Sequence, residues 1–217
     1  MSLSELWSLY GQNYIDALLA TWGMTLESFA IAMVLAVAVT VMRVSPLKPL
    51  RVFGDLYVQV FRNIPGIALL IIVVYALPPL KVVLPYRTCV IVATVLLGSA
   101  FGSENFMSGI NTVGVGQVEA ARSLGMSFSR IRAKIVIPQA LRSSVLPMTN
   151  LFIAVMLTTA LGSQVPLQPQ ELTGVVSYIN TRSLGGVAAF FISALGYLGT
   201  AFVVSHIGNY IDKKVRI

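Results

Sequence analysis

The chain has 217 residues, of which 56% are hydrophobic and 11% charged, against a usual charged share of about 25% in soluble domains. With a mean hydropathy of +0.83 it holds more apolar surface than a soluble globule can hide, which excludes a soluble domain, a disordered chain, a coiled coil and a nucleic-acid module. The net charge of +7 is therefore read first as membrane sidedness.

In chain order, Met1 to Thr21 carries Glu5 and Asp16 but no Lys or Arg. It lacks the positive n-region of a secretory signal, so no signal is expected there. A bilayer core of about 30 Å needs roughly 20 apolar residues per helix. Five stretches qualify: Trp22 to Met42, Ile64 to Leu80, Thr88 to Ile110, Val145 to Leu161 and Gly185 to Ile207. The second and fourth are short, with Pro65 and Pro147 near their starts, where first-turn N–H groups are unpaired anyway. The expected fold is an all-α integral membrane protein of five transmembrane helices, with residues 1–217 as one domain. The outer stretch Gly162 to Leu184 reads as a surface loop or a re-entrant segment.

Five spans place the termini on opposite sides. With the N-terminus outside, the inner segments hold 12 Lys and Arg residues (Arg43, Lys48, Arg51, Arg62, Arg122, Arg130, Arg132, Lys134, Arg142, Lys213, Lys214 and Arg216). The outer segments keep 3, Lys81, Arg87 and Arg182. This asymmetry predicts an N-out, C-in multi-pass protein of the cytoplasmic membrane. A basic inner rim also favours anionic membrane lipid.

The longest polar stretch, Asn111 to Ser144, joins spans three and four. Within it, Gly116 to Met126 predicts a short helix. Glu119 is expected in its first turn, where a carboxylate offsets the helix dipole. Ala120 and Ala121 favour helix with little bulk, and Gly125 supplies a left-handed stop. A second piece, Phe128 to Ile137, is expected to halt at Pro138.

Glu119-Ala120-Ala121, then Gly125, then Ile135-Val136-Ile137-Pro138 resembles the EAA signature of the membrane subunits of ABC importers. That resemblance implies a type I importer permease fold. It also implies that Glu119, Ala120, Ala121, Arg122 and Gly125 couple the chain to an ATP-binding subunit. Gly23-Met24-Thr25-Leu26, Phe61-Arg62-Asn63-Ile64-Pro65, Glu104 with Gly109-Ile110, and Pro138-Gln139-Ala140 with Arg142 look like the polar amino-acid branch, the histidine, glutamine and glutamate permeases. Met42 to Pro46 and Ser108 to Val113 look most like actinobacterial glutamate permease subunits.

The implied partners are an ATP-binding cassette dimer carrying ATP and Mg, a second permease subunit and an extracellular binding protein. The implied cargo is a polar amino acid, with glutamate ahead of glutamine, aspartate and basic amino acids. Met107 and Leu157 depart from the branch, which has a basic residue and a polar run at those places. The departures favour a heterodimer whose other subunit keeps the polar groups.

No Gly-x-x-x-x-Gly-Lys-[Ser/Thr] is present, so the chain has no phosphate cradle of its own. The lone His206 and lone Cys89 leave no metal site, no catalytic constellation is arguable, and His206 reads as a packing or interfacial residue. Ionisable groups in a bilayer are functional suspects. Glu104 is a candidate path residue, or else a structural partner for Arg122 or nearby backbone. Arg62, with Pro65, reads as a gating or interface element, or snorkels to headgroups. Asn150, Thr158 and Thr159 are path candidates or interhelical hydrogen-bonding groups. Gly98, Ser99, Gly102 and Ser103, like Gly196 and Thr200, read as small-residue packing strips. A stand-alone secondary carrier or channel, or a membrane scaffold or sensor, is the alternative class.

Overall fold

The computed structural model describes residues 2–182 and 186–215. The expected fifth-span start at Gly185, the outer-stretch end at Leu184 and the inner cation Arg216 lie outside them. The described secondary structure is helical throughout. Four helices are long and apolar enough to cross a bilayer: α1 (Leu3–Arg43), α4 (Tyr86–Asn111), Val145–Gln164 and α10 (Gly186–Val215). The third comprises α8 (Val145–Thr158) and a 3-10 turn, Thr159–Gln164.

A fifth candidate is broken. Helix α2 (Lys48–Asn63) meets the segment Gly66–Leu80 at 103°. That segment holds α3 (Gly66–Ile71), a π turn over Ile72–Ala76 and a 3-10 turn over Pro78–Leu80. Pro65 causes the break: it lacks an N–H and drives the preceding Ile64 to an extended ψ of 128°. Hydropathy finds only the second limb. In α2 the stripe Lys48, Arg51, Asp55, Gln59 and Arg62 lies beside the exposed apolar stripe Val52, Phe53, Leu56 and Val60, while Gly54 and Val58 face the protein. Averaged along the chain, the two stripes cancel.

The helix that holds the first expected span, Trp22 to Met42, begins well before it. Helix α1 has 41 residues, roughly 60 Å at 1.5 Å per residue and twice the bilayer core. Trp22 falls in its middle. A capping box starts the helix: Ser2 N–H donates to Glu5, and Glu5 N–H donates to Ser2 Oγ. The early half of α1 buries Leu6, Tyr14 and Ala17 against α9 (Leu172–Arg182) and Ala189 of α10. Within the stretch Gly162 to Leu184, expected as a surface loop or a re-entrant segment, the described residues thus include a helix, α9, packed on the early half of α1.

Of the four long helices, α1, α4 and α10 run one way and α8 runs the other. Glu27, just past the middle of α1, pairs with Arg87 at the start of α4, and Arg43 at the end of α1 pairs with Glu104 further along α4. A Cβ on Gly98 would meet Ala32 and Val155, and one on Gly102 would meet Ala36 and Leu151. So α1 and α4 run together while α8 runs back. Trp22 donates to Thr200 at 3.0 Å, which aligns α10 with α1. The described chain ends lie at opposite ends of this bundle. Arg43, Asn111 and Lys213 share one end, called the basic end below.

The polar connection at that end contains α5 (Val115–Ser123), α6 (Phe128–Ile131), a π turn over Arg132–Val136 and α7 (Ile137–Ser143). Two expectations fail here. Gly114, extended at ψ 134°, caps α5, so the helix starts at Val115 and Glu119 is its fifth residue rather than a first-turn carboxylate. Pro138 does not halt the second piece, which continues to Ser143. A proline ring clashes with the carbonyl four residues back, and the wider π turn just before it relieves that conflict.

Candidate functional site

Helix α5 is attached by one face. Ala121 is buried at 4%, while Glu119, Ala120 and Arg122 are exposed. The flanking apolar residues Val115 and Leu124 are 71% and 82% exposed. Gly125 has φ +73°; its N–H donates to the Arg122 carbonyl at 2.9 Å, and Met126 N–H to the Ala121 carbonyl at 3.1 Å. These two bonds make a Schellman stop, which needs the left-handed residue expected at Gly125. Gln139 Nε2 donates to Gln117 Oε1 at 2.6 Å and ties α5 to α7. The result is a short helix held from behind, with a mixed polar and apolar edge facing out.

Above it, four charged side chains converge. Arg43 Nε donates to Asp55 at 2.8 Å, its Nη2 reaches Glu104 Oε1 at 2.9 Å and its Nη1 donates to Ser103 Oγ at 3.2 Å. Arg62 Nη1 lies 3.4 Å from the same Glu104 oxygen, with its guanidinium over the Phe101 ring. The partners of Glu104 are thus Arg43 and Arg62, not Arg122, which sits on α5. Thr40 Oγ1 adds a bond to Ser103 at 3.1 Å, and Ser99 pairs with Tyr57 at 2.7 Å. The small strip on α4 therefore divides its work. Its glycines admit α1 and α8, and its serines tie α4 to α1 and α2.

A cleft of about 640 Å³ opens between α3, α4 and α8, lined in part by Arg62, Ile67, Thr94, Phe101, Thr158 and Gln164. Arg62 is its charged lining residue and the walls are mainly apolar, which suits a small molecule gripped at few points. Thr158 lines it as expected. Asn150 lies exposed two turns earlier on the same face of α8, below the lining residue Ala154. Thr159 is fully buried, donates to the Met156 carbonyl at 2.7 Å and is not a lining residue. Pro65 sits exposed at the α2–α3 bend. Leu157 lines the rim, where the resembled branch is polar. His206 is exposed and stacks near Phe202.

Thr94 is missing from the sequence candidates. It is 1% exposed, lines the cleft, and its Oγ1 has no hydrogen-bond partner among the described residues. Glu171, just before α9, is also missing from them. Fully buried, it accepts from Thr173 N–H at 2.6 Å, Gly174 N–H at 2.7 Å and Tyr197 O–H at 2.9 Å. Burial pushes its carboxyl above the ordinary range, against the lowering effect of these donors. It closes the N-terminus of α9 and fastens that helix to α10.

Long apolar helices with a broken second limb and a polar two-part connection define a multi-pass membrane protein. Residues 28–217 match the family model of binding-protein-dependent transport system inner membrane components, and the chain belongs to that family. It is 33% identical to the glutamate transport system permease protein of Corynebacterium efficiens, covering 90% of this chain and 91% of that one. It is 30% identical to the L-cystine transport system permease protein of Bacillus subtilis, over 96% and 91% of the two chains. Its fold matches a solved amino acid ABC transporter with histidines at a TM-score of 0.93, with 24% identity and 99% of both chains covered. An inward-facing methionine ABC transporter matches at 0.73, with 20% identity and 99% of both chains covered.

Proposed function

We propose that the chain is the translocation subunit of an ATP-driven importer for a polar amino acid, glutamate first, with glutamine, aspartate, cystine and basic amino acids behind. It crosses the cytoplasmic membrane five times, N-terminus outside and C-terminus inside, with α2–α3 as the bent second crossing. A second permease subunit, favoured as a different chain, completes the path. An extracellular binding protein delivers the cargo. ATP and Mg are handled by a separate ATP-binding cassette dimer.

The observation that carries this reading is the outward edge of α5. Glu119, Ala120, Arg122 and Leu124 stand exposed on a helix whose inner face and C-terminal stop are fixed. Such an edge fits a groove in the ATP-binding subunit, and Gly125 sets the angle at which the stroke enters α6 and α7. From there α8 leads directly to the cleft, where Thr158 and Arg62 line the route and Asn150 continues its face. Glu104 holds Arg62 at the inner mouth. A partner's closure then biases a two-state arrangement of these helices.

In proteoliposomes holding the complete transporter, Gly125→Pro and Glu119→Lys are expected to leave the subunit inserted while ATP hydrolysis no longer drives amino-acid uptake. Uptake at the wild-type rate in both variants would remove α5 from the coupling route.

A further inference from the structure

A second cleft, of about 420 Å³, lies at the basic end between α1 and the α6–α7 segment. Val37 and Val41 of α1, Phe106 of α4, and Phe128 and Ile137 form much of its wall, and Arg132 is its charged lining residue. The walls open outward: Val41 is 58% and Phe128 68% exposed. Arg132 Cζ stands 5.4 Å from the centroid of the Phe128 ring, which holds the guanidinium against the wall of the cleft.

The surrounding charge is mainly positive, with Glu119, next to the lining residue Val118, as the carboxylate nearest in sequence. From Ala120 to Gln170 the sequence has Arg122, Arg130, Arg132, Lys134 and Arg142 and no carboxylate. Each of the 4 ion pairs recorded among the described residues leaves these five out. An apolar cleft with a cation on its wall, beside the last turns of a membrane-spanning helix, has the chemistry of an anionic phospholipid site. A free phosphate would leave the apolar walls unused.

We propose that this cleft seats one acyl chain of an anionic phospholipid, with its phosphate on Arg132. Val37 and Val41 lie four residues apart on one face of α1, and both are exposed. The lipid would brace α6–α7 against α1, behind the segment that carries α5.

The test uses the purified transporter complex and phosphatidylglycerol titrated in mixed micelles, with bound lipid read by native mass spectrometry. Arg132→Gln and the cleft-filling Val41→Trp should each weaken binding by roughly fivefold or more. Arg142→Gln, an exposed cation outside the cleft, should leave binding within about twofold of wild type. Equal weakening in all three variants would mean diffuse surface attraction and would overturn the site. So would displacement by inorganic phosphate. Loss of the ATP-binding chain from Arg132→Gln with lipid binding intact would instead assign the cleft to that partner.

Discussion

Six helical threonines spend their hydroxyls on the carbonyl four residues back: Thr21, Thr25, Thr40, Thr149, Thr158 and Thr200, at 2.7–2.9 Å. Thr94 does not, although it is as buried as any of them. A buried hydroxyl without a partner is unfavourable by roughly 1–3 kcal/mol, so one beside a cleft is a candidate to meet a group that enters it. Thr94→Val keeps the shape and removes the hydroxyl. It is expected to raise the half-saturating cargo concentration for uptake by roughly 2–10-fold, and Thr94→Ser should restore it. Identical uptake curves for Val and Ser would show that the hydroxyl meets no cargo.

Glu171 poses a different question at the same scale. Its carboxyl titrates above the ordinary value of 4.5 when folded, so the folded state holds its proton more tightly than the unfolded chain does. Its contribution to stability is full below the ordinary value and declines as pH climbs through the raised one. Glu171→Gln cannot ionise and should lack that decline. The gap between wild-type and variant melting temperatures should therefore move against the wild type as pH rises above 4.5. Parallel curves would contradict the assignment. Neither residue was legible in the sequence. Burial of Glu171 depends on Tyr197, and the idle hydroxyl of Thr94 depends on the cleft, and no local pattern encodes either. Gly125 was legible because a left-handed stop after an alanine-rich turn is a local demand. Glu104 was flagged, but its partners Arg43 and Arg62 come from other helices and could not be read from spacing.

At the level of elements, α1 and α4 approach closely because α4 presents glycines to alanines of α1. A Cβ at Gly102 would lie 2.8 Å from Ala36 Cβ and 3.3 Å from a Leu151 methyl. Between membrane helices packing is a main source of association, and overfilling such a seam costs about 1–3 kcal/mol. Gly102→Leu is expected to lower the melting temperature in detergent by several degrees. Gly199→Leu, where nothing lies within 4 Å of the added carbon, should shift it far less. Equal shifts would mean that the α1–α4 seam is not close-packed. Hydropathy located α4, α8 and α10 well, since each is long and uniformly apolar. It passed over α2, whose charged and apolar stripes average out, and it began the first span at Trp22, because Glu5, Gln12, Asn13 and Asp16 lower the hydropathy of the preceding half of α1.

For the molecule as a whole, family and fold follow from residues spread along the chain, whereas the direction of force transfer rests on the small patch around α5. The patch lies at the basic end, beyond the charged cluster of Arg43, Asp55, Arg62 and Glu104, and on the proposed reading a push on α5 reaches the cleft through α7 and α8. The only native cysteine, Cys89, is buried, which leaves a single introduced thiol free to report. The most direct measurement is a cross-link from Ala120→Cys in the assembled transporter, with a short bifunctional reagent. A covalent product with the ATP-binding chain, together with loss of uptake, is the predicted result. A thiol that labels freely with soluble reagent, joins no ATP-binding chain and leaves uptake intact would contradict the coupling role of α5.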